Sequence, residues 1–205
     1  MTWARRLIGQ SLQLAGAALL GYAATSYVRG ALARNRAREA WTATGERLVR
    51  SHGVAHRPML AEHVLDAGEP LGRLRVPKLG LDEIIVEGVG DGELAAGSGH
   101  VMGSAVPGEL GNAILSAHRD GIFNGLDQLE PGDTVVTDTP QRQVWWVVSA
   151  RRVVDGHAPL VFDSPTPLLT LTTEWPVRWI GPASEHLLVT ATPVAGAWRV
   201  ERSGS

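Results

Sequence analysis

The sequence predicts an all-β domain, a closed or nearly closed barrel, carried behind one N-terminal helix. Three observations predict it. Short apolar runs recur from Leu71 onward with turn signals between them. The 205 residues include 24 Gly and 12 Pro, which suits many turns rather than long helices. One stretch, Leu7 to Val28, carries no charge and is long enough for a bilayer-crossing helix. Hydrophobic content of 44% supports a packed core, and the length fits one domain plus an anchor.

The first element is the uncharged run, with Arg5 and Arg6 before it and Arg29 and Arg34 after it. Gln10, Ser11, Gln13, Thr25 and Ser26 dilute it; Trp3, Tyr22 and Tyr27 suit interfacial positions. An uncleaved anchor over residues 1–30 is the expectation, with a cleaved signal peptide as the rival. Residues 31–70 follow as a stalk and linker. Ala31 to Arg50 is rich in Ala, Arg and Glu and predicts a polar helix; Ser51 to Glu69 predicts a spacer. His52, His56 and His63 in that region match no zinc spacing.

The domain spans 71–202. Strands are expected at Leu71–Val76, Glu83–Glu87, Ala113–Ala117, Thr134–Thr137, Val144–Val154, Leu168–Thr173 and Leu187–Thr192, with one helical turn near Glu93-Leu94-Ala95. Two strand ends stand out. Leu168 to Glu174 alternates, placing Leu169, Leu171 and Thr173 on one face and Thr170, Thr172 and Glu174 on the other. Pro176 cannot donate to a ladder and should stop that strand. The strand Ala113–Ala117 runs into His118-Arg119-Asp120.

Net charge is −2 and no basic stripe crosses the domain, so no nucleic-acid partner is expected. The chain has no cysteine, which removes disulfides and thiolate metal sites. Neither a metal nor another cofactor is expected.

The residues of these strand ends carry a resemblance. Ser116-Ala117-His118-Arg119-Asp120 with Phe123 and the turn Leu129-Glu130-Pro131-Gly132-Asp133 resembles the histidine region of sortases. Leu169-Thr170-Leu171-Thr172-Thr173 resembles the strand that leads into their catalytic cysteine. Gly97-Ser98-Gly99-His100, Pro107-Gly108-Glu109 and Gly111-Asn112 add to the match, which extends from about Leu71 to Val194. The Thr-Thr-x-Trp-Pro run looks most like the proteobacterial group, class GN.

The resemblance implies an eight-stranded barrel on a single-pass inner-membrane anchor, facing the periplasm or exterior. Arg29, Arg34, Arg36 and Arg38 outnumber Arg5 and Arg6, so the positive-inside rule alone would place the domain inside; the resemblance is followed. It implies a transpeptidase acting on a secreted partner that carries a C-terminal sorting signal. His118 matches the family histidine. Glu174 stands at the family cysteine and His186 at the family arginine. A carboxylate is a poor nucleophile toward an amide, and a neutral imidazole is a weak oxyanion partner. The expectation is therefore a pseudoenzyme that binds peptide. The alternatives are an altered hydrolase using His118 with Glu174 and a non-catalytic structural membrane protein. Thr172, Thr173, Trp175 and Phe123 are the substrate-binding candidates, with Val177 and Trp179 lining the same groove; Asp120 and His100 are supporting candidates.

Overall fold

A computed structural model describes residues 2–52 and 65–194, with helix side chains from Gln10 to Ala43. One helix, α1 (Thr2–His52), precedes the strands β1 (Pro70–Val76), β2 (Leu81–Glu87), β3 (Ser98–His100), β4 (Asn112–Ser116), β5 (Thr134–Asp138), β6 (Gln143–Asp155), β7 (Leu168–Trp175) and β8 (Glu185–Pro193). A short helix α2 (Asp91–Ala96) lies between β2 and β3, over the predicted helical turn. The strands close into a barrel in the order β1-β2-β3-β4-β7-β8-β6-β5. The all-β, eight-stranded expectation thus matches the architecture. Closure removes both sheet edges and their unpaired backbone groups.

Alternation fills the barrel. Leu169 and Leu171 of β7 point inward and are fully buried, with Leu115 of β4, Trp146 of β6 and Val189 of β8. Trp146 hides its ring but keeps its indole N–H satisfied, donating to Thr137 Oγ1 at 2.8 Å. β3 is the strand that the sequence did not show. It has three residues in a glycine-rich stretch, and it pairs in parallel with β2. A Cβ at Gly99 would collide with the Gly88 carbonyl oxygen, so this close pairing needs glycine there.

The N-terminal segment differs from expectation in two respects. Among the described residues, no helix is long and apolar enough to cross a membrane. The polar residues noted above lower the apolarity of the uncharged run. The second half of α1 is also not a free stalk. Ala37 is buried with Ile84 and Val86 of β2, Trp41 packs beside them, and Arg38 pairs with Glu83 at 3.2 Å. In the first half, Leu12, Leu14, Leu19, Leu20, Tyr22 and Tyr27 are exposed. Most of the predicted linker, at 53–64, and the domain's last expected residues, at 195–202, lie outside the described residues.

Leu171→Ala removes a fully buried side chain from the strand shared by β4 and β8. We expect it to lower unfolding free energy by about 3 kcal/mol, read as a lower urea midpoint at unchanged m-value.

Candidate active site

β4 and β7 are parallel neighbours, with Ala113 opposite Leu169, Leu115 opposite Leu171 and Ser116 opposite Thr172. Both chains leave the ladder at the same level. Two residues further on, His118 and Glu174 therefore meet. His118 Nδ1 lies 3.2 Å from Glu174 Oε1, and the Arg119 backbone N–H donates to Glu174 Oε2 at 3.1 Å. The Thr173 hydroxyl donates to Ala117 O at 2.7 Å, which ties the two strand ends together, and sits 3.2 Å from Glu174 Oε2.

Partial burial pushes the Glu174 carboxyl upward. Hydrogen bonds from its own backbone N–H, from His118 and from the Arg119 N–H outweigh that, and its pKa falls below the ordinary carboxylate value of 4.5. The pair is reachable from solvent, with side chains 43% and 33% exposed for His118 and Glu174. His118 Nε2 has no hydrogen-bond partner among the described residues, so with Nδ1 held by Glu174 it is free for a ligand or water.

β8 runs antiparallel to β7 and sets His186 directly opposite Glu174. In an antiparallel pair, opposed side chains share a face. His186 is partly exposed and its ring lies against Gly156, at 3.3 Å from the position of a Cβ there. The site thus holds His118, Glu174 and His186 in one row across three strands. Among the described residues no group of three or more His, Asp or Glu is arranged to hold a metal ion.

Arg119 also contributes to the site. Its guanidinium donates to the carbonyls of Pro176, at 3.0 Å, and of Gly181. It thereby straps the β7–β8 loop to the strand end that carries the histidine. Its place immediately after the histidine was the available signal.

The substrate-binding candidates fare unevenly. Trp175 is partly exposed and packs on the core, and Trp179 is 57% exposed. Phe123 is fully buried inside the barrel and Val177 is 4% exposed. Thr172 and Thr173 are buried too. Phe123, Val177 and Thr173 lie on the core side, and Thr172 is covered on the opposite face of β7, so none of the four is open to line a groove. The reason for Phe123 is the turn after His118, which folds Phe123 N–H back onto the His118 carbonyl and drives the ring inward. Asp120 is exposed in that turn. His100 is not brought to Glu174: its ring nitrogens are held by Glu87, Ser104 and Ala105.

The description of the matching family profile is Sortase domain, and it covers residues 74–194, which include β4, β7, β8 and all three residues of the row. The chain belongs to the sortase family. Sortase D of Bacillus subtilis (strain 168) is 29% identical over 126 residues, which are 60% of this chain and 64% of that protein. The chain therefore spans less than two thirds of this curated relative. A Clostridium perfringens Sortase D5 transpeptidase structure aligns with a TM-score of 0.63 at 18% identity, covering 82% of this chain and 99% of that one. Sortase C from Clostridium perfringens SM101 aligns at 0.58 and 22% identity, covering 83% and 90%. At these identities the structural matches establish the sortase fold.

The depressed pKa of Glu174 has a consequence for stability. A carboxylate held below its unfolded value stabilises the fold above that value, and the contribution is lost as pH falls through the folded pKa. We expect the stability gap between wild type and Glu174→Gln to be constant above about pH 5 and to close on further acidification. Urea midpoints measured from pH 7 to pH 3 check this. A gap that widens toward acid contradicts it.

Proposed function

We propose that this sortase-family protein binds a peptide of the sorting-signal type and does not carry out cysteine transpeptidation. The observation that carries this is the fixed carboxylate of Glu174. The sequence resemblance sets it where the family nucleophile stands, and two donors hold it as an anion. Attack by that carboxylate on an amide carbonyl would expel the amine and leave a mixed anhydride. Water would open the anhydride before an acceptor amine could be selected. His186 in place of an arginine removes a permanent cation from the oxyanion side. The class GN assignment, suggested by the Thr-Thr-x-Trp-Pro run, belongs to the same reading.

A second reading is favoured by one contact. With His118 Nδ1–H donating to Glu174, Nε2 is left as an acceptor, which is the arrangement of an oriented general base. Such a pair would activate water and hydrolyse a bound peptide slowly.

Incubating the purified 205-residue chain with fluorescent peptides carrying C-terminal sorting signals separates these readings. We expect saturable binding by anisotropy and no cleavage by mass spectrometry. Cleavage that disappears in Glu174→Ala would establish the second reading and overturn the first; absence of binding overturns both. In Glu174→Cys combined with His186→Arg we expect thiol labelling and cleavage to appear together.

The reading also places the protein at the inner membrane, with the barrel outside the cytoplasm and α1 as its attachment. The exposed, uncharged stretch of α1 up to Val28 supports this. We expect the chain to float with lipid vesicles in a density gradient, and Leu19→Glu with Leu20→Glu to reduce that recovery at least about tenfold. Equal recovery of the two chains contradicts a role for α1.

A further inference from the structure

Closure covers only the paired lengths of the strands, and β6 outruns one of its neighbours. β6 has 13 residues and β5 has 5. β5 pairs with Gln143 to Val147, and the turn at Gly132 and Asp133 takes up Val148. Beyond Val148, β6 is paired on one side alone, by β8.

The alternation of ladder bonds decides which groups this overhang presents. Gly156 N–H donates to Ser184 O. Counting back by twos, Val154, Arg152 and Ala150 turn their backbone groups to β8, opposite His186, Leu188 and Thr190. Arg151, Val153 and Asp155 therefore turn theirs away from the sheet. Among the described residues their N–H groups, and the carbonyls of Arg151 and Val153, have no backbone partner; Asp155 O accepts from Ala158 N–H. Val153 is 41% exposed, and Arg151 and Asp155 are exposed on either side of it. Such an edge is a template for another strand.

The charges on the edge choose the strand. Two copies of β6 pairing antiparallel about a twofold axis must bring outward-turned groups together. An axis at Arg151, Arg152 or Asp155 sets like charges face to face, and an axis at Val154 sets Arg151 opposite His157. An axis at Val153 sets valine against valine and Arg151 against Asp155 of the second copy, twice over. Arg151 bonds the carbonyls of Asp127 and Leu129 through Nη1 only, which leaves its other nitrogens for a carboxylate. Asp155 takes His157 through Oδ1, which leaves Oδ2. The pattern is complementary to itself.

We infer that the overhang of β6 joins two copies of this chain, strand to strand, in the register centred on Val153. The two barrels then share one continuous sheet. Arg152 of the second copy comes opposite Val154, which pairs with His186. It thus extends the row of Glu174 and His186, with its Cα about 10 Å from that of His186 across two strand spacings.

The test is sedimentation velocity of the whole chain in detergent over a concentration series. We expect a monomer–dimer equilibrium. Asp155→Arg opposes like charges at both pairs and should weaken the dimer about tenfold or more; combining it with Arg151→Asp should restore it. Val153→Pro deletes an N–H that the barrel does not use, and should give a monomer with unchanged circular dichroism. The chain has no cysteine, so Val153→Cys places a single thiol on the axis. Oxidation should link it into a dimer, and should not link Thr192→Cys. A wild type that stays monomeric throughout overturns the proposal. If Val153→Pro then lowers binding of a sorting-signal peptide, the edge belongs to a peptide instead. A dimer that Val153→Pro and Asp155→Arg leave unchanged also overturns it and assigns association to another surface.

Discussion

The parallel ladder between β4 and β7 is the constraint on which the site depends. The two strands are far apart in sequence, and the register Ser116 opposite Thr172 fixes where both chains emerge. Parallel neighbours emerge at the same end of a sheet, so residues that follow them are held close without needing any affinity for one another. The Thr173 hydroxyl on Ala117 O extends the ladder past its last backbone pair. A one-residue slip would turn Glu174 inward and Thr173 outward, and the barrel core does not permit that, because Leu169 and Leu171 are fully buried. Core packing and site geometry are thus one requirement.

Much of this was legible because alternation and punctuation are local properties. The Leu169/Leu171 pattern, the stop at Pro176 and the two reactive strand ends are read from adjacent residues. β3 was not legible: three residues in a glycine stretch carry no periodicity, and their pairing is set by β2 and β4. The inward burial of Phe123 was hidden for a related reason. An aromatic beside a histidine reads as a groove wall unless the direction of the turn is known. The packing of Ala37 on Ile84 and Val86 was likewise invisible, since a helix rich in Ala, Arg and Glu reads as solvated when its partner is unspecified. The identity of residue 174 was plain from sequence, yet its electrostatic state depended on donors contributed by residues 118 and 119.

On the reading proposed above, the surroundings of Glu174 suit recognition over covalent chemistry. A nucleophile profits from a destabilised ground state, whereas this carboxylate is stabilised as an anion by the groups beside it. Arg119 works in the same direction. It commits its guanidinium to two loop carbonyls and its backbone N–H to Glu174, so one residue holds both the acid and the loop behind it. A site so tied at rest has little conformational entropy left to lose, which would favour binding of the proposed peptide.

A β-barrel offers side chains in two directions, and the molecule uses both for polar groups. His118, Glu174 and His186 form a row where the barrel wall opens after β4 and β7. Glu87 shares its strand face with the core residue Ile85, so it points inward, where it meets His100. An inward carboxylate in an apolar barrel is costly unless it is bonded, and the imidazole meets that need. The imidazole then has a second nitrogen to satisfy, which draws in Ser104 and the loop that carries it. A requirement of burial, propagated through the imidazole, therefore ends at Ser104 and Ala105 in the loop after β3. The same chain of necessity closes this part of the barrel and fixes the loop that leads from β3 back to β4.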